Sequence, residues 1–113
     1  MKCFKVSMVL IFMCFCSSVQ AAVNCSGDIK RVYVTKVGDL VILGSWRNDY
    51  TKVCNVAIEW GGVKDSTCKA WLSIAEAAQI SKTPVIVRYN LSSCSEIPTY
   101  TASPSPEYLM LSY

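Results

Sequence analysis

Short runs of β-branched and aromatic residues, parted by glycine, proline and polar clusters, recur along most of this chain, as in strands joined by turns. Ile29-Lys-Arg-Val-Tyr-Val-Thr-Lys-Val37 is one such run, and Leu40-Val-Ile-Leu43 continues in the same style. Between them Gly38-Asp39, glycine first, predicts a type II′ hairpin turn, which makes the two strands antiparallel neighbours. The polar stretch Arg47-Asn-Asp-Tyr-Thr-Lys52 leads into a third strand, Val53 to Trp60, closed by Gly61-Gly62. The period then changes. Cys68, Trp71, Leu72, Ala75 and Ala78 recur at helical spacing behind Asp65-Ser66-Thr67, residue types suited to an N-cap, and predict a helix from about Ser66 to Ser81. Pro84 ends it, because the residue before a proline avoids the helical region. Pro84-Val-Ile-Val-Arg-Tyr89 reads as a fourth strand bounded by polar Asn90 to Ser95, and Tyr108 to Tyr113 as a fifth after Ser103-Pro-Ser-Pro106.

The resulting order, β-β-β-α-β-β, is mainly β. It matches a small OB-fold-like Greek-key barrel with one helix between strands three and four, the helix plugging one end and turning Trp71 and Leu72 inward. Order alone does not close a barrel, so the alternative is an open α+β sheet with one packed helix. Repeats, low-complexity tracts and signs of a second domain are absent from the sequence.

The chain opens with Lys2 and Lys5, an apolar run from Val6 to Cys16, and the small or polar exit Ser17-Ser-Val-Gln-Ala21. These are the parts of a secretory signal peptide, residues 1–21, cleaved after Ala21 with Ala22 as the next best point. The apolar run is far shorter than the roughly twenty residues that cross a bilayer, so no membrane span is expected. Residues 22–113 then form a single secreted or periplasmic domain. Removing Lys2 and Lys5 from eleven basic residues leaves nine against eight acidic ones. That balance argues against nucleic acid as a partner.

Cys3, Cys14 and Cys16 leave with the leader, so Cys25, Cys54, Cys68 and Cys94 remain of seven cysteines. Four cysteines in an exported domain of about ninety residues read as two disulfides, which supplement a small core. Three pairings are possible. Cys54–Cys68 would clamp the start of the helix to the sheet and leave Cys25–Cys94 to bridge the ends of strands one and four; this is the favoured set. Without histidine or a Cys-x-x-Cys pair, no metal or other cofactor is expected.

The same lack of histidine removes the usual base for a serine or cysteine nucleophile. Asp28, Asp39, Asp49 and Asp65 fall where turns and caps use aspartate, and Glu59 and Glu76 fall on solvent-facing positions. No catalytic residue is assigned, and a binding module is favoured over an enzyme. Trp46-Arg47-Asn48-Asp49-Tyr50 sets two aromatics among three hydrogen-bonding residues, a composition that stacks on a sugar face and bonds its hydroxyls. The competing role for Trp46 is the end of strand two inside the core; Trp60 shares that ambiguity, and Trp71 is core. Glu107 to Tyr113 is an apolar strand at a sheet edge, which needs a cover; a second copy of the chain, arranged head to tail in a ring, is the simplest one. Two Asn-x-Ser triplets, at Asn24 and Asn90, are glycan acceptors only on a eukaryotic secretory route.

In its leader, strand order and cysteines the chain resembles the small secreted B subunits of AB5 toxins, the pertussis-like and subtilase-cytotoxin group. The resemblance covers about residues 25–111 and is carried by Ser26-Gly27 before strand one, a cysteine on an early strand, a second near the helix, Trp71, and Pro84-Val-Ile-Val-Arg-Tyr89. It implies an OB-fold, a homo-oligomer of five copies, host-glycan binding, and Ser26 as a glycan contact. The functional expectation is a secreted, non-enzymatic binding subunit that recognises a glycan or a partner protein through Trp46, Arg47, Asn48, Asp49, Tyr50 and Ser26. An accessory or inhibitory protein docking on another protein by its edge strand is the alternative, and a small secreted enzyme the third.

Overall fold

The structure, a computed structural model, describes residues 21–112; the leader expected over residues 1–21 lies outside it but for Ala21, as does Tyr113. Among the described residues there are six strands and one helix: β1 Val23–Gly27, β2 Ile29–Val34, β3 Asp39–Gly44, β4 Asp49–Asn55, α1 Asp65–Ser81, β5 Val85–Tyr89 and β6 Tyr108–Leu111, with a single 3-10 turn at Cys94–Glu96. They form two antiparallel three-stranded sheets, ordered β1-β5-β6 and β2-β3-β4. The described part of the protein is therefore mainly β with one helix.

The sheets do not close into one barrel, which corrects the expected architecture. β1 and β2 are parted by Asp28 alone, and each joins a different sheet. At that corner Asp28 N–H donates to Ser45 Oγ and Ser45 N–H donates to the Asp28 carbonyl, both at 2.9 Å, so the bend is tied to the β3–β4 loop. The connection between β5 and β6 meets β4 through an isolated parallel bridge of Thr51 with Tyr100. Strand β1 was not foreseen because Asn24 and Ser26 are exposed polar positions; only Cys25 is fully buried. Its partner supplies what composition lacks, a register of Cys25 with Val87 and Ser26 with Ile86.

Two boundaries also move. The β2–β3 hairpin turns through Lys36-Val37-Gly38, not a two-residue type II′ turn: Gly38 N–H donates to Thr35 O, Thr35 N–H donates to Asp39 O, and Gly38 holds φ +95°. Glycine tolerates that left-handed conformation at the end of a three-residue loop. Strand β4 begins four residues earlier than expected and stops at Asn55. There the Asn55 carboxamide donates to Val37 O and Asp39 Oδ1 and accepts from the Ala57 and Ile58 amides, so the backbone turns away. Such a side chain offers the backbone an alternative to the ladder.

The helix starts at Asp65, so Asp65, Ser66 and Thr67 lie within its first turn and the N-cap position is Lys64, with no side-chain cap. It buries Cys68, Trp71, Ala75 and Ala78, the face expected from its period, with Leu72 half-buried against the core. Lys82 ends it in the left-handed conformation, and the Thr83 amide donates to Ala78 O. Cys25 is bonded to Cys94 and Cys54 to Cys68, the favoured pairing. The core gathers Ile29, Leu40, Ile42, Val53, Val85, Val87, Tyr89, Ile97 and Leu109 between the sheets and the helix. No helix among the described residues is long and apolar enough to cross a membrane.

Candidate binding surface

The β3–β4 loop carries most of the residues singled out in the sequence, and the fold uses them unequally. Arg47 and Asn48 amides both donate to Gly44 O, closing a tight turn in which Asn48 takes φ +58°. Trp46 folds back: its ring lies over Gly44 and reaches Gly27, and it packs half-buried against the core with Nε1 enclosed and without a hydrogen-bond partner. The structure thus gives Trp46 the packing role. A Cβ at Gly44 would overlap the indole. Gly44→Ala is expected to lower stability by about 1–3 kcal/mol, the usual range for overpacking, as read from urea unfolding midpoints.

Arg47 turns toward the β5–β6 connection, its Nε donating to Ile97 O at 2.7 Å. Asn48 is exposed and accepts from Lys30 Nζ at 3.5 Å, and the Asp49 carboxylate accepts from the Tyr50 amide at 2.7 Å. Ser26 is exposed on the outer face of the other sheet, beside Gly27, which the Trp46 ring approaches. The fold thus spends Trp46 and Arg47 largely on packing and tethering and leaves Ser26 and Asn48 exposed.

Tyr50 belongs to a larger feature. On β3 the fully buried Leu40 and Ile42 face the core, so Val41 and Leu43 point outward. Register sets Tyr33 and Lys52 on either side of Val41, and Arg31 and Tyr50 on either side of Leu43. The Tyr33 and Tyr50 rings meet across β3 with centroids 5.7 Å apart at 58°, and Tyr100 stacks on Tyr50 at 5.7 Å and 34°. Val41 is only 4% exposed beneath them, whereas Tyr33 is 40% and Tyr100 51% exposed. Tyr100 is held there by backbone: its amide donates to Tyr50 O at 2.7 Å and its carbonyl accepts from the Lys52 amide at 3.1 Å. Burial, then charge repulsion from the neighbouring Tyr100 and Tyr50 phenols, raises the Tyr33 phenol above its ordinary value. Sequence reasoning missed this group. Tyr33 sits mid-strand and Tyr100 in a connection, and only pairing brings them to Tyr50.

Beside the tyrosines Lys52 is nearly buried, its ammonium 2.9 Å from Asp39 and 4.1 Å from the centre of the Trp60 ring. Burial alone would raise the Asp39 carboxyl; hydrogen bonds from Lys52 and Asn55, with the Lys52 charge, outweigh it and hold the group below its ordinary value. This cluster braces the platform from one side.

A separate open cleft of about 350 Å³ lies between the Gly61-Gly62 turn, the first turns of α1 and the Ser105–Glu107 segment. Trp60 and Val63 exchange backbone hydrogen bonds of 3.0 and 2.9 Å, and Gly61 and Gly62 both have positive φ, which defines a two-residue hairpin. Ser105 Oγ donates to Gly61 O at 2.6 Å and latches the walls together. Among the described residues no group of three His, Cys, Asp or Glu is placed to hold a metal ion. Comparison with protein-family models, curated proteins and solved structures finds no match for the chain.

Proposed function

We propose that the protein is a secreted, non-enzymatic binding subunit that recognises a glycan on the outer face of β2, β3 and β4. The observation that carries this reading is the stack of exposed Tyr33 and Tyr100 on half-buried Tyr50. Tyrosine offers an apolar face with a polar tip, which suits a sugar ring whose C–H face stacks while its hydroxyls seek partners. Arg31 on the same face, with exposed Asn48 in the adjoining β3–β4 turn, supplies hydrogen-bonding groups at the rim. Two disulfides fit an oxidising compartment, outside the cell or in a periplasm. The same reading includes an OB-like relation between the two sheets, which the chain joins at Asp28 between β1 and β2, together with the toxin B-subunit resemblance and a ring of copies.

Binding to a glycan array by the purified protein tests the reading. Removing two stacked rings should cost about 2 kcal/mol, so Tyr33→Ala with Tyr100→Ala weakens binding about thirty-fold while the thermal unfolding midpoint stays close to the parent. An array without signal, or binding indifferent to the double substitution, refutes it. A second reading rests on β6, which pairs only with β5 among the described strands and exposes Met110: a sheet edge of that kind suits another protein's strand. The solution mass separates a ring of copies from a monomer that waits for a different partner.

A further inference from the structure

We propose that the cleft beside the Gly61-Gly62 turn binds a small zwitterion of the amino-acid type, its carboxylate toward Lys64, its ammonium toward Glu107 and its apolar side chain against Trp71. The proposal goes beyond glycan recognition on the tyrosine face and does not depend on it.

Lys64 and Glu107 both line the cleft and are exposed, and among the described residues neither takes part in an ion pair, with each other or elsewhere. One Glu107 oxygen accepts from Asn90 Nδ2 at 2.6 Å, which steadies the carboxylate and leaves its second oxygen free of any side-chain donor in the described part of the chain. Opposite charges left unspent on one rim select a ligand that carries both. A simple anion would meet Glu107, and a simple cation would meet Lys64. Trp71, 8% exposed, shows its remaining surface in the same cleft and supplies the apolar contact, while Thr67 and Ser105 add hydroxyls. The volume of about 350 Å³ falls at the lower end of small-molecule sites, enough for one amino acid.

The walls are held before a ligand arrives. The Trp60–Val63 hairpin, the Ser105 to Gly61 hydrogen bond and the buried ring of Pro106 fix the side opposite the helix. A Cβ on Gly61 would press on Ser105, so the close approach that forms the latch depends on glycine. Preorganisation of this kind reduces the ordering cost of binding.

Titration of the purified, disulfide-bonded protein with L-leucine, followed by amide and indole NMR shifts, is the test. Saturable shifts at Gly61, Gly62, Thr67 and the Trp71 indole N–H are expected at about millimolar leucine. Leucinol, which lacks the carboxylate, and 4-methylpentanoate, which lacks the amine, should each bind at least about ten-fold more weakly, as should leucine to Lys64→Met and to Glu107→Gln. Both substitutions alter exposed side chains, and their unchanged amide spectra elsewhere report intact folding. The proposal is overturned by no shifts up to tens of millimolar leucine, by shifts centred on another surface, by equal binding of either analogue, or by indifference to both substitutions.

Discussion

Replacing Cys25 and Cys94 together with alanine will lower the thermal unfolding midpoint by roughly 15–30 °C. The cross-link joins residues 69 apart, and the chain-entropy account of closing a loop of that length gives about 4 kcal/mol. In a domain of this size each kcal/mol moves the midpoint by about 4–8 °C. The same account gives about 3 kcal/mol for Cys54–Cys68, 14 residues apart, so that substitution ranks second. Burial does not separate the two bridges, since Cys25, Cys54 and Cys68 are all fully buried, so the ranking rests on loop length. What sets the longer bridge apart is that Cys94 anchors the connection that reaches Arg47 through Ile97 and delivers Tyr100 to the platform. The Cys25/Cys94 variant should therefore also lose glycan binding at temperatures where it remains folded. A midpoint within about 5 °C of the parent would mean that the packed core holds this connection without the bridge.

Lys52→Met will cost about 2–4 kcal/mol at neutral pH, somewhat less than for a fully buried pair because the Lys52 and Asp39 side chains keep 10% and 14% exposure. The charge left behind sets the size of the loss: Asp39 would retain Asn55 as its side-chain donor in a site where burial already disfavours ionisation. The double variant Asp39→Asn with Lys52→Met should recover to within about 1 kcal/mol of the parent, since replacing both partners leaves no buried charge. The pH dependence has a definite sign. In the parent the folded Asp39 pKa is depressed, so its contribution is present above the unfolded value near 4 and is lost as pH falls through the lower folded value. In Lys52→Met, protonation relieves the stranded carboxylate, so the deficit against the parent should shrink as pH drops toward about 3. Urea midpoints measured at both pH values decide the matter; a deficit independent of pH would assign the loss to the Trp60 contact and packing instead.

How much of this was legible beforehand follows from the range of each interaction. The helix was readable because Cys68, Trp71, Ala75 and Ala78 return every three or four residues to one face, and Pro84 marks where it must stop. Strand cores at Val32, Leu40 to Ile42 and Val85 to Val87 declared themselves through β-branched composition. Strand β1 stayed hidden because a five-residue segment with exposed Asn24 and Ser26 is a strand only while β5 lies beside it. The Trp46 loop shows the same limit at the candidate site. Its composition suits sugar binding and packing equally, and the small residues Gly27 and Gly44 decide by leaving room for the ring.

By itself, then, the sequence determined a nearly balanced charge and four cysteines over residues 22–113, one amphipathic helix and a mainly β domain, because each rests on composition or on contacts a few residues apart. Tertiary structure alone decided that the strands divide into two sheets at Asp28, that Trp46 turns inward, and that Tyr33, Tyr50 and Tyr100 meet on one face. Those outcomes depend on register between strands distant in the chain. A shift of one residue would send each side chain to the opposite face, and no local pattern records which register the packed core selects.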